Sequence, residues 1–247
     1  MKFRNQGEKQ FKAIILAAGT GSRLGMNMPK SLVKLNDSLT ILDHQLKNLL
    51  QFLQFENISI ITGYKFEQIA SRYPGLKSLV NVDYLSTNTS KSLLLGLDTI
   101  SVNNDVIFLN GDVVFDSEII RLILQNGDSN LICVNNNKVG DEEIKYNIDD
   151  TGYIREISKK VINPLGEAVG INYLLSESVP TLIKCLDICK DSDYFEKGIE
   201  YAIEQDVNFM PLNIRNRFCI EIDFEEDLNK AKKYLETPNQ SEGNNTI

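Results

Sequence analysis

Apolar residues along this chain come in two rhythms, and the rhythms alternate. Phe11–Ala18 is a short apolar run ending at glycine, which predicts a buried strand. Residues Leu39–Phe52 then carry leucines at 42, 46, 49 and 50, a helical spacing, and Thr40 with Asp43 matches a capping box. Further strands are predicted at Asn57–Thr62, Ser78–Val82, Val106–Leu109 and Asn130–Val134. Helices are predicted between them at Phe66–Tyr73, Ser90–Ile100 and Ser117–Leu124. Strand–helix alternation of this kind predicts a mostly parallel sheet covered on both faces, with ligands at the carboxyl ends of the strands.

The middle of the chain breaks the alternation. Glu143–Ile148 and Gly152–Ser158 flank an Asp-rich turn and predict a hairpin, followed by a strand at Ala168–Leu175. Helices at Glu177–Ile188 and Tyr194–Glu204, strands at Asn208–Ile214 and Cys219–Ile222, and a helix at Phe224–Leu235 complete the pattern. The organisation is one α/β domain over 11–236, with a small β-rich insertion near 140–175. A polar N-terminal extension covers 1–10, and a polar tail, 237–247, is expected to be disordered.

Composition narrows the function. With 26 Lys+Arg against 34 Asp+Glu, the net charge of −8 argues against nucleic acid or an anionic membrane as partner. No apolar run reaches the roughly 18–20 residues of a membrane span, and the first ten residues lack a signal-peptide core, so a cytoplasmic location is expected. Four irregularly spaced cysteines are no disulfide framework; Cys185 and Cys189, four apart on a helix, are read as packing. The single histidine, His44, is read as a partly exposed helix residue rather than a catalyst.

The stretch Leu16–Leu32 carries the chemistry. A strand enters a loop of small residues, Ala17, Ala18, Gly19, Thr20 and Gly21, where backbone amides can approach a phosphate. Phe11–Asn36 contains four bases, Lys12, Arg23, Lys30 and Lys34, and no acid, an electropositive island in an acidic chain. The glycines are one residue too widely spaced for a dinucleotide-binding turn, and Lys30 follows Pro29 rather than the second glycine of a Walker loop. A glycine-rich surface loop with solvated bases is the plain alternative.

The run L-A-A-G-x-G-x-R followed by P-K resembles the signature of nucleotidyltransferases acting on sugar phosphates and alcohol phosphates, and the likeness extends over about 11–235. The resemblance implies a Rossmann-like three-layer α/β sandwich with a mixed, mostly parallel sheet. It implies that Leu16, Ala17, Ala18, Gly19, Thr20, Gly21, Asn88, Ser92 and Gly111 bind an NTP. Arg23 would hold the β- and γ-phosphates and Lys30 the α-phosphate, as the catalytic pair. Asp112, in Asn110-Gly111-Asp112, and Asp223 would bind Mg²⁺. Asp112 could instead cap a turn, and Asp223 could belong to the first-turn charge bias of the helix after it, since Glu221–Asp227 holds five acids. Glu221 would share a face with Asp223.

The remainder of the chain is most similar to cytidylyltransferases of the phosphocholine and aminoethylphosphonate type. That similarity implies CTP, Mg²⁺ and a small phosphorylated acceptor as ligands, with a homodimer left open, and a place in making cell-surface polysaccharide or lipid precursors. Lys145, Glu167, Asn172 and Tyr194 are the acceptor-contact candidates, Glu167 being equally readable as a solvated rim acid. The alternatives are a sugar-1-phosphate nucleotidyltransferase, a non-catalytic nucleotide-binding relative, and a metal-dependent glycosyltransferase.

Overall fold

The computed structural model describes residues 11–21, 24–101, 103–137, 139–140 and 143–236. Four parallel strands make one half of the main sheet: β1 (Phe11–Ala17), β2 (Ile58–Thr62), β3 (Lys77–Val80) and β4 (Asp105–Asn110). β4 is followed by β5 (Val113–Phe115), β6 (Asn130–Asn135), the hairpin β7 (Lys145–Ile148) and β8 (Ile154–Ser158), and β9 (Gly166–Leu174). β10 (Phe209–Asn213) and β11 (Cys219–Glu221) come last. The sheet order is β10-β6-β9-β4-β1-β2-β3, and β9 is antiparallel to both of its neighbours in that order. The hairpin joins through β7, which pairs with the start of β9.

Alternation along β1 explains its apolar run. Ala13 and Ile15 enter one core and Ile14 and Leu16 the other. The first core is closed by α1 (Ile41–Leu49), α2 (Phe66–Arg72) and α4 (Glu118–Gln125). The second is closed by α3 (Thr89–Leu97), α5 (Val179–Asp187) and α6 (Phe195–Ile203). Helix, sheet and helix thus form three layers. The capping box on α1 is present: Thr40 Oγ1 accepts from the Asp43 amide at 3.1 Å, and Asp43 Oδ2 accepts from the Thr40 amide at 2.8 Å.

Two local features depart from the sequence reading. β5, three residues long, pairs antiparallel with β11, and a third small core forms where α7 (Glu225–Glu236) covers that ribbon. His44 is not partly exposed. It is 6% exposed, and its Nε2 lies 2.8 Å from the Phe115 carbonyl. Burial lowers its pKa, so the ring is neutral at physiological pH. The reason is that α1 packs on β5, whose carbonyls need donors that a regular sheet would supply. Gln45 Nε2 donates to Asn110 and Val113, and Asn48 Nδ2 to Phe115. These buried polar residues of α1 fix the segment 110–115.

No helix among the described residues is long and apolar enough to cross a membrane. Residues 1–10, the tail 237–247 and Arg23 lie outside the described residues.

Candidate active site

β1 sits between β4 and β2, so the chain leaves it toward opposite sides and opens a crevice at the carboxyl ends of β1 and β4. A cavity of about 390 Å³ fills that crevice. Leu16 and Ala17 at the end of β1, with Gly19, Thr20 and Gly21 from the loop after it, form one wall. Gly111 and Asp112, after β4, form the floor. Ala18, Asn88 and Ser92 line a smaller adjoining space of about 70 Å³, which shares Leu16, Gly19 and Thr89 with the larger one. Asn88 also caps α3, its side chain accepting from the Thr89 amide at 2.8 Å.

The two loops are locked together. The Gly111 amide donates to the Leu16 carbonyl at 2.8 Å. A Cβ on Gly111 would stand 2.7 Å from both Ala17 Cβ and the Leu16 oxygen, so only glycine allows this approach. Gly111→Ala is expected to destabilise the fold by about 1–3 kcal/mol, an overpacking cost against the Leu16–Ala17 backbone. Thermal melting checks this: the melting temperature should fall, because the same displacement moves the glycine-rich loop and Asp112.

Lys30 and the two aspartates meet in this floor. Lys30 Nζ donates to Asp112 Oδ2 at 2.7 Å and to Asp223 Oδ1 at 2.6 Å. The pairs are half-buried, with side-chain exposures of 15%, 24% and 34% for Lys30, Asp112 and Asp223. Burial acts to lower the Lys30 pKa, but the two carboxylates outweigh it and leave it raised. The β5–β11 ribbon is what brings positions 112 and 223 together: the Ile222 amide donates to the Asp112 carbonyl at 3.0 Å. Glu221 lies between Gly170 of β9 and the end of β4, where Asn110 Nδ2 donates to its Oε1 at 2.9 Å. Burial, then the Asp112 charge, pushes the Glu221 carboxyl up. Gly170, at φ +69°, makes room for that pair, since a Cβ there would lie 2.6 Å from Glu221 Oε1.

The acceptor candidates do not all converge. Tyr194 lines the cavity. Lys145 and Glu167 face each other in the β7–β9 register, and Glu167 Oε2 accepts from the Gly140 amide at 3.3 Å. Asn172 is buried in β9 opposite Phe108 and Ile132. None of these three lines the cavity, to which β9 turns Ala168 and Gly170 instead. The wall there is built instead from Glu143, Ile144, Lys159, Ala168, Phe195 and Glu196. Glu196 was not legible, since an acid in the first turn of a helix is ordinarily a solvated dipole partner.

Known proteins resemble this chain over most of its length. A 2-aminoethylphosphonate cytidylyltransferase of Lancefieldella rimae is 27% identical over 211 residues, covering 83% of this chain and 81% of the relative. A D-glycero-alpha-D-manno-heptose 1-phosphate guanylyltransferase of Campylobacter jejuni is 25% identical, covering 90% and 96%. The fold is that of the CTP:phosphocholine cytidylyltransferase of Streptococcus pneumoniae, with a TM-score of 0.72 at 19% identity over 92% of this chain and 99% of that one. The inositol-1-phosphate CTP transferase of T. maritima superposes with a TM-score of 0.70 at 16% identity, over 92% and 95%. The MobA-like NTP transferase domain matches residues 13–179, from within β1 through the glycine-rich loop, Lys30 and Asp112. With its crevice at the β1–β4 switch point and most of its length inside that match, this chain belongs to the MobA-like NTP transferase family and is a nucleotidyltransferase.

Proposed function

We propose that this enzyme transfers a cytidylyl group from CTP to a small phosphorylated acceptor, a phospho-alcohol, phospho-amine or phosphonate, with Mg²⁺, releasing pyrophosphate. The observation that carries the reading is Lys30 held between Asp112 and Asp223 beneath the glycine-rich loop. The cytidylyltransferase of L. rimae supports the choice of base.

The donor set fits a hard divalent cation. Two carboxylates converge within reach of one positive charge, and Asp112 Oδ1 is buried without a hydrogen-bond partner. Asp112 and Asp223 would hold the ion, and bound there it would supply charge neutralisation on the phosphates. The chain's own residues do the rest. Backbone amides of the Ala17–Gly21 loop would bind the triphosphate. Lys30 would carry its charge to the α-phosphate, where negative charge builds up in the transition state. An acceptor phosphate oxygen attacks the α-phosphorus in line, the bond from the α-phosphorus to the bridging oxygen breaks, and pyrophosphate leaves with the electron pair. The attacking oxygen is already ionised at pH 7, so positioning is the main requirement and no side-chain base is needed.

Pyrophosphate release from a matrix of four NTPs against phosphorylated acceptors tests this. Release with CTP, dependent on Mg²⁺, is expected; turnover with ATP alone would overturn the reading. The heptose phosphate guanylyltransferase relative supports a second reading, a sugar-1-phosphate enzyme, which the GTP and sugar-phosphate cells of the same matrix would reveal.

A further inference from the structure

The smaller space beside the main cavity differs from it in kind. Lys30, Asp112 and Asp223 line the larger one, whereas no charged side chain among the described residues lines the smaller. An uncharged planar group suits it, so a nucleotide with its phosphates at Lys30 would place its base there. Two of its lining residues are buried and polar. Asn81, directly after β3, is 8% exposed, and Ser92, on α3, is 4% exposed.

The direction of each hydrogen bond between them is fixed by the backbone. The Asp83 amide can only donate, and it donates to Asn81 Oδ1 at 3.1 Å, so the Asn81 amino group faces the other way. Asn81 Nδ2 donates to Thr87 Oγ1 at 3.0 Å and to Ser92 Oγ at 3.1 Å, which uses both of its hydrogens. Turning the amide over would set its amino group against the Asp83 N–H. Residue 81 is itself anchored, since its backbone amide donates to the Thr62 carbonyl at 2.8 Å. Both hydroxyls therefore accept from Asn81 and must place their own protons elsewhere. Thr87 Oγ1 donates to the Asp83 carbonyl at 2.9 Å. Among the described residues, none accepts the Ser92 proton. Ser92 is left as a donor at the wall of the space, and a buried donor is costly until an acceptor arrives.

We propose that Asn81 is a positioning residue for base selection: by donating to Ser92 it fixes that hydroxyl as a donor, and the donor reads an acceptor, the carbonyl O2 or the ring N3, on the edge of cytosine. An edge that presented a donor at that point would leave two donors facing each other without a partner. This rests on the nucleotidyl-transfer reading and deepens it, because it ties the choice of base to one side-chain amide.

Calorimetric binding of CTP, 2-thio-CTP and 3-deaza-CTP to the full chain with Mg²⁺, with no acceptor present, tests it. The first analogue weakens the acceptor at position 2, and the second replaces the acceptor at position 3 by C–H. One of them should bind about 5- to 50-fold more weakly than CTP, the range for leaving a buried donor unpaired. Ser92→Ala should bring that ratio close to one. Asn81→Asp keeps the shape and turns the amino group into an acceptor that draws the Ser92 proton to itself, so it should collapse the ratio as well. Its added negative charge weakens every triphosphate alike and cancels in the ratio, as would a merely structural role for Asn81. In the S92A background, N81D should change the ratio no further. The proposal is overturned if neither analogue binds more weakly than CTP, or if S92A or N81D keeps the ratio. Pyrophosphate release separates the two readings. Release with CTP, while the ratio persists in both variants, would leave nucleotidyl transfer standing and remove the role of Asn81. A ratio lost in both variants, with no release against any acceptor, would remove the reaction and keep the base contact.

Discussion

Lys30→Met is expected to lower kcat by about 10²–10³ while leaving KM for CTP within a few-fold. The size follows from the loss of one preorganised charge at a point where negative charge develops. The split between kcat and KM follows from where the lysine sits. Its ammonium lies at the floor beside Asp112 and Asp223, whereas the loop amides that would bind the triphosphate belong to Leu16–Gly21 on the wall above. An interaction made mainly in the transition state lowers kcat and kcat/KM together, and one made equally in the ground state raises KM alone. Steady-state kinetics with CTP and an active acceptor distinguish these. Lys30→Arg should not rescue the rate, because a planar guanidinium fork replaces a compact ammonium that now reaches two carboxylates on different loops. The same change has a structural consequence. Without the ammonium, two half-buried carboxylates face each other, so the melting temperature of K30M in chelator should fall, and added Mg²⁺ should raise it again. A K30M enzyme with full kcat would remove Lys30 from the reaction.

Most of the sheet was legible because each buried strand is an apolar run and each covering helix has an apolar stripe. β1, β2, β4 and β6 have interiors close to those expected, and α1 begins at the capping box that Thr40 and Asp43 announce. The glycine-rich loop was legible for a similar reason, since its chemistry is local and contiguous. What escaped was non-local. β5 is only Val113–Phe115, too short for a period of two to register, yet its pairing with β11 joins two aspartates 111 positions apart. His44 looked like a helix-surface residue because nothing in its own neighbourhood says that α1 lies on β5. Glu196 is an acid in the first turn of α6, and only the packing of α6 against the sheet and β8 turns it inward. Lys145, Glu167 and Asn172 lie in strands whose cavity-facing positions are Ala168 and Gly170, and only the pairing of β9 with β4 and β7 decides which positions face it. Burial at a distance is the common missing quantity.

The ribbon also decides what Asp112→Asn should do. Asparagine keeps the size and still accepts from Lys30, but it removes one of the two negative charges that would share a cation. The rate at saturating Mg²⁺ is expected to drop by about 10³, at the upper end for one electrostatic contact, because the Lys30 geometry is perturbed along with the metal ligand. Raising Mg²⁺ should recover only part of the loss. Binding of Mn²⁺, followed by its electron paramagnetic resonance signal in the presence of CTP, should weaken at least tenfold in D112N, independent of turnover. Asp223→Asn should resemble it, and the D112N/D223N double variant should be little worse than either single one, since each removes the same two-carboxylate unit. The fold should survive all three changes, because the Ile222 amide bonds the backbone carbonyl of Asp112 and not its side chain. Full activity and unchanged Mn²⁺ affinity in D112N would show that Asp112 serves the turn after β4 and that the cation is held elsewhere. Loss of rate with unchanged Mn²⁺ affinity would instead assign Asp112 to holding Lys30 on the α-phosphate.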